Sequence, residues 1–201
     1  MKRREKSGAS SLLELVVIIA VAVGLALGIQ AVLVKPYRIP SKSMEPTLDV
    51  GQRVLVNRIG NRFGEPEVGE VTVFHPPRGA DENRCGSPVG RGEACASPTS
   101  GRSNQNFIKR VVAGPGDRIA IRDGHVVLNG KLQREGFIQP CESGAECDFP
   151  RAIKVPPDHW FMMGDNRGQS DDSRFWGPVP KKWIIGGAFA TYWPPKRIGF
   201  L

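Results

Sequence analysis

The sequence predicts a mostly β protein, an all-β sandwich or partly closed barrel with a small inserted β lobe, preceded by a single N-terminal transmembrane helix. Three observations lead there. After residue 35, short runs of strand-forming residues alternate with Gly, Pro, Asn and Asp. The chain holds 24 glycines and 17 prolines in 201 residues, a spacing of breakers that leaves little room for helices. Only one segment, near the N-terminus, is long and continuously apolar.

That segment comes first. Met1-Lys2-Arg3-Arg4-Glu5-Lys6 is basic, and Leu12 to Val34 is apolar except for Glu14 and Gln30. Twenty-three residues at about 1.5 Å each reach roughly 35 Å, enough for a hydrocarbon core of about 30 Å. Ala20-Val21-Ala22 has the form of a signal-peptide cleavage site, but the apolar run continues well past it and exceeds a signal core of about 7–15 residues. A retained anchor is therefore expected: residues 1–11 cytoplasmic, 12–34 in the bilayer, and 35–201 as an extracytoplasmic domain. The chain carries +8. Setting aside the four basic and two acidic residues before position 35 leaves +6, suited to an anionic lipid surface. The basic residues are scattered and no recognition motif accompanies them, which argues against nucleic acid. A monomer is expected.

Strands are expected at Arg53–Val56, Val71–Phe74, Phe107–Val112, Arg118–Ile121, His125–Leu128, His159–Met163 and Ile184–Trp193. Asn129-Gly130 after Val126-Val127-Leu128 marks a tight hairpin. Residues 78–105 are polar, rich in Gly and Ser and without strand character, so they read as a surface insertion. Residues 122–158 read as a small second lobe. Cys85, Cys95, Cys141 and Cys147 all fall on the outer side, where an even count favours disulfides. Three pairings are possible, the local pairs 85–95 and 141–147 being the simplest. The absence of CxxC and the dispersal of His75, His125 and His159 argue against a metal site.

Three blocks could carry chemistry. Pro40-Ser41-Lys42-Ser43-Met44-Glu45-Pro46 places two serines just beyond the anchor. If the segment is extended, both hydroxyls share a face, one to attack a carbonyl and the other to join the Ser43 N–H around the oxyanion. None of the histidines sits in a motif suited to a base. A lysine serves if burial lowers its pKa from about 10.4 by two or three units, roughly 3–4 kcal/mol. Lys109, in Phe107-Ile108-Lys109-Arg110-Val111, shares a strand face with Phe107 and Val111, with Arg110 pointing away. The third block, Gly164-Asp165-Asn166-Arg167 through Ser170-Asp171-Asp172-Ser173-Arg174-Phe175-Trp176-Gly177, reads as an ion-paired turn network.

Together, in this order, the three blocks resemble those of bacterial type I signal peptidases, the membrane-anchored Ser/Lys proteases that remove signal peptides. The resemblance implies a signal-peptidase-like β catalytic domain. It implies Ser43 as nucleophile, Lys109 as general base, Ser41 with the Ser43 N–H as oxyanion hole, and Ser170 as the hydroxyl that orients the lysine. Asp165, Asn166, Arg167, Asp172 and Arg174 match its supporting positions. The implied substrate is a preprotein with small residues, typically Ala-x-Ala, before the cut, and no metal or organic cofactor is implied. Three positions depart from the usual pattern: Lys42 where Gly or another small residue is common, Gly168-Gln169 after Arg167, and Gly187 where many relatives carry Lys. A penicillin-binding transpeptidase would need S-x-x-K, S-D-N and K-T-G together, and that set is absent. A self-cleaving repressor would carry a DNA-binding domain in place of the anchor. The remaining rival is an anchored β module that binds secreted partners without catalysis.

Overall fold

The computed structural model describes residues 8–60, 64–141 and 147–201, so the basic N-terminal hexapeptide lies outside the described residues. Helix α1 spans Gly8–Leu33, and every side chain from Leu12 to Leu25 is exposed. Among the described residues no helix is long and apolar enough to cross a membrane. Val34, grouped with the apolar run in the sequence, is the first residue of strand β1 (Val34–Arg38).

The strands that follow are β2 (Arg53–Asn57), β3 (Val71–Phe74), β4 (Phe107–Ala113), β5 (Arg118–Arg122), β6 (His125–Leu128) and β7 (Lys131–Leu132). Then come β8 (Phe149–Lys154), β9 (His159–Met163), β10 (Val179–Pro180), β11 (Ile184–Trp193) and β12 (Gly199–Phe200). One turn of helix, α2 (Ser173–Trp176), precedes β10. The larger sheet runs β1-β2-β11-β3-β4-β9-β10 with β12 beside β11, and the smaller runs β7-β6-β5-β8.

All seven expected strands form. The five unforeseen ones have weak signatures for physical reasons. β7, β10 and β12 are only two residues long. β1 and β8 contain Pro36 and Pro150, which a strand tolerates where its N–H faces no partner, and both lie at sheet edges. The hairpin at Asn129-Gly130 forms as expected, with φ of 52° and 81° at the two central residues. The second lobe begins earlier than residue 122. β5 pairs with both β6 and β8, and Ile119 and Ile121 bury their side chains beside Val112, Phe161 and Met163 at the junction of the lobe with the main sheet.

A second cluster, of Ile39, Met44, Leu48, Val54, Val73 and Ile108 among others, lies beneath the serine block. A third gathers Phe74, Trp160, Met162, Trp176 and Trp183 under the insertion. The insertion itself is closed by the Cys85–Cys95 disulfide, and the Cys95 N–H donates to the Arg174 carbonyl at 2.9 Å. Cys141 and Cys147 form the other disulfide, in the smaller lobe.

Candidate active site

The serine block is not extended. Lys42–Met44 forms a 3-10 turn, with the Glu45 N–H on the Lys42 carbonyl at 3.0 Å and the Leu48 N–H on the Met44 carbonyl at 2.8 Å. The cause is burial. Ile39 and Met44 both enter the same core cluster, yet five residues apart they would face opposite ways in a strand. The turn brings both inward and still joins the hydroxyls, Ser41 Oγ donating to Ser43 Oγ at 3.3 Å, long for a hydroxyl pair. Ser43 is buried and Ser41 exposed.

Lys109 lies on β4 between β3 and β9 and is 5% exposed. The Arg110–Met163 pairing puts it opposite Gly164, and across the other edge it faces Thr72. Its amine sits 5.9 Å from the centre of the Phe107 ring, on the face the alternation predicts. Burial pushes its pKa down to about 8, against the pull of the carboxylates of Asp172, Asp171 and Asp165. Two buried hydroxyls in this region have no hydrogen-bond partner among the described residues: those of Ser170 and of Thr72, the cross-strand neighbour of Lys109.

Gly164 is the meeting point. A side-chain carbon there would collide with the Ser170 hydroxyl and the Ser43 carbonyl, so only glycine lets the three segments close. The Asn166 N–H donates to that same Ser43 carbonyl at 3.1 Å. Asp172 receives the Gly164 N–H at 3.1 Å and is gripped by Arg174 through Nε at 2.8 Å and Nη2 at 2.9 Å. Burial raises the Asp172 pKa, but the guanidinium of Arg174 and the nearby Lys109 outweigh it, so the carboxyl is held below its ordinary value. Arg174 also donates to the Ser170 carbonyl at 2.9 Å, which fixes the backbone carrying the orphan hydroxyl.

Of the two Asp/Arg sets in this turn network, Asp172 and Arg174 pair within the turn, whereas Asp165 and Arg167 reach outside it. Asp165 does not pair with Arg167. It takes two bonds from Arg110, at 2.9 and 2.6 Å, and one from the Thr47 hydroxyl at 2.5 Å. One carboxylate thus clasps the serine block, the lysine strand and the Gly164 loop. Arg110 does point away from the lysine face, yet its side chain is only 12% exposed because it serves this clasp. Arg167 instead pairs with Glu135 of the smaller lobe, at 2.6 and 3.0 Å. Thr47 directly follows the serine block and Arg110 lies inside the lysine block, neither with a role legible in the sequence, and Glu135 lies in the polar string Gln133-Arg134-Glu135-Gly136 that carries no signal.

Among the described residues no group of His, Cys, Asp and Glu is arranged to hold a metal ion. The imidazoles of His75 and His159 are engaged with the carbonyls of Gln105 and Pro157, at 2.9 and 2.6 Å. A cavity of about 20 Å³ flanks the site, lined by Ile39 and Pro40 just before Ser41 and by Phe107 and Ile108 just before Lys109. It has room for about one water-sized group.

The β scaffold thus carries a buried serine, a buried lysine of lowered pKa and a loop closed on a glycine. Residues 12–193 match the family described as signal peptidase, peptidase S26. The chain is 34% identical over 200 residues to the probable signal peptidase I-2 of Synechocystis, covering 100% of this chain and 82% of that one. It is 37% identical to a signal peptidase I of Leptolyngbya laminosa, over 96% of this chain and 85% of the other. A probable thylakoidal processing peptidase 2, chloroplastic, of Arabidopsis thaliana is 38% identical over 88% of this chain but only 43% of its own length. A crystal structure of a signal peptidase I from Enterococcus faecalis, at 22% identity, matches 61% of this chain and 96% of its own with a TM-score of 0.39, too loose a likeness to add to the case. The chain belongs to the signal peptidase family, peptidase S26, and is a serine-type hydrolase that cleaves signal peptides.

Proposed function

We propose that this protein is a membrane-anchored endopeptidase that removes signal peptides from exported preproteins after small residues of the Ala-x-Ala type, with Ser43 as nucleophile and Lys109 as general base. The observation that carries the reading is the lysine. It is buried beside the serine turn, and burial holds its pKa at about 8. At pH 7 about a tenth of it is then neutral, against roughly 0.03% for an ordinary lysine, a gain of about 300-fold in usable base.

In this mechanism the preprotein's cleavage region lies extended at the edge of the site and pairs through its main chain. Its small side chain enters the narrow cavity beside Pro40 and Phe107, which supports the preference for alanine. Lys109 takes the Ser43 proton as Ser43 Oγ attacks the scissile carbonyl. The negative oxygen is received by the Ser41 hydroxyl and the Ser43 N–H. The lysine then gives its proton to the leaving amine, leaving an acyl-enzyme. It next activates a water that hydrolyses the ester and restores the serine. The Ser170 hydroxyl, buried and without a hydrogen-bond partner among the described residues, supports a role for it as the acceptor that aims the lysine amine.

The apolar run Leu12–Val34 and the basic residues before it support a single-pass anchor, with the N-terminus cytoplasmic and residues 35–201 outside. The exposure of the described leucines, isoleucines and valines of α1 agrees with a helix that meets lipid. The test is to incubate the purified full chain, in detergent, with a preprotein beside its Ser43→Ala and Lys109→Ala variants. Both variants should stay folded and inactive. Cleavage by either would end this mechanism.

A further inference from the structure

We propose that Glu135 is a positioning residue for catalysis: through Arg167 it sets the Gly164 loop against Ser43 and Ser170, making the small β lobe a working part of the active site. This rests on the reading that Ser43 and Lys109 carry the reaction.

Arg167 is 1% exposed, and each nitrogen of its guanidinium donates a hydrogen bond. Nε donates to the Gly164 carbonyl at 3.0 Å, Nη1 to the Gly124 carbonyl, and the two Nη atoms to the Glu135 carboxylate at 3.0 and 2.6 Å. Gly164 is thereby held from both ends, its carbonyl by Arg167 and its N–H by Asp172 at 3.1 Å. Because Gly164 packs against the Ser43 carbonyl and the Ser170 hydroxyl without room for one more carbon, a shift of Arg167 is a shift of the catalytic groups.

Glu135 is itself held by the lobe. The Val126 N–H donates to it at 2.9 Å, and His125 Nδ1 stands 3.8 Å from the same oxygen. A second stitch runs in parallel: the Gln139 N–H donates to the Asp165 carbonyl and the Arg167 N–H to the Gln139 carbonyl, both at 2.9 Å. The lobe does not need this ion pair for attachment. Ile119, Ile121, Val126 and Ile153 already bury it against the main sheet. Buried ion pairs are weak sources of stability, so a charged pair at this place is better explained by the geometry it imposes.

The experiment compares Glu135→Gln with wild type in preprotein cleavage by the full chain in detergent, with Ser43→Ala and Lys109→Ala alongside. The expected result is KM within about twofold and kcat lowered about ten- to a hundredfold, the scale of a small misplacement of reacting groups. The rising limb of the pH profile should also move up by about half a unit or more, because a loosened loop lets water reach the Lys109 ammonium. Glu135→Asp should recover part of the rate. A merely structural glutamate would lower the melting temperature and leave that limb in place. Should Glu135→Gln not fold, the double variant Glu135→Gln/Arg167→Met, which removes both charges, carries the test with the same expectation. Wild-type kcat and an unmoved limb in the folded variant overturn the inference alone. Cleavage surviving Ser43→Ala or Lys109→Ala overturns the mechanism and the inference with it.

Discussion

Lys109→Met should abolish cleavage and, at neutral pH, make the protein more stable. A lysine whose pKa falls from 10.5 to about 8 on folding has its charged form disfavoured in the folded state. The difference of roughly 2.5 units corresponds to about 3 kcal/mol at 1.36 kcal/mol per unit. Between pH about 8 and about 10.5 the unfolded chain holds the proton and the folded one does not, so stability rises with pH across that window. Below pH 8 the full penalty is present. Methionine fills similar volume without charge and removes the penalty, although Asp172 loses a nearby cation and gives part of the gain back. A net gain of about 1–3 kcal/mol at pH 7 would raise the melting temperature by about 2–10 °C for a chain of this size. Thermal unfolding of both proteins in the same detergent, followed by tryptophan fluorescence at pH 7 and again near pH 10.5, measures it. The gain should shrink toward zero at the higher pH. A variant that is less stable than wild type at pH 7, or stabilised equally at both pH values, would refute the claim that Lys109 is a desolvated base.

Three further outcomes follow from the same geometry. The rate under subsaturating substrate should climb nearly tenfold per unit between pH 6 and 7 and level off above about 8, as the Lys109 amine loses its proton; a flat profile over that range would contradict it. Gly164→Ala should inactivate the enzyme and cost about 1–3 kcal/mol in denaturant melts, since the new methyl meets the Ser170 hydroxyl and the Ser43 carbonyl. Ser41→Ala should lower kcat about ten- to a thousandfold with the fold unchanged, the range for losing one oxyanion donor; an unchanged rate would remove Ser41 from that role.

Much of the scaffold was legible because strand alternation is a local property. In Arg53-Val54-Leu55-Val56-Asn57 the two valines are buried, the polar ends are exposed and Leu55 between the valines is half-buried. Lys109 could be placed on a face with Phe107 for the same reason. The serine block defeated that logic. Its hydroxyls meet through a 3-10 turn, because two apolar residues five positions apart had to enter one core.

What the sequence by itself determined, then, is the set of chemical groups: two serines, one lysine and a loop of paired Asp and Arg, each recognisable within a few residues of its block, and with them the family. Which charges meet was decided only in three dimensions. Asp165 reaches Arg110 and Thr47 instead of the arginine two residues on, and Arg167 finds Glu135 across 32 positions of chain. A buried ion selects its partner by what the packed core leaves within reach, and separation along the sequence does not enter into that.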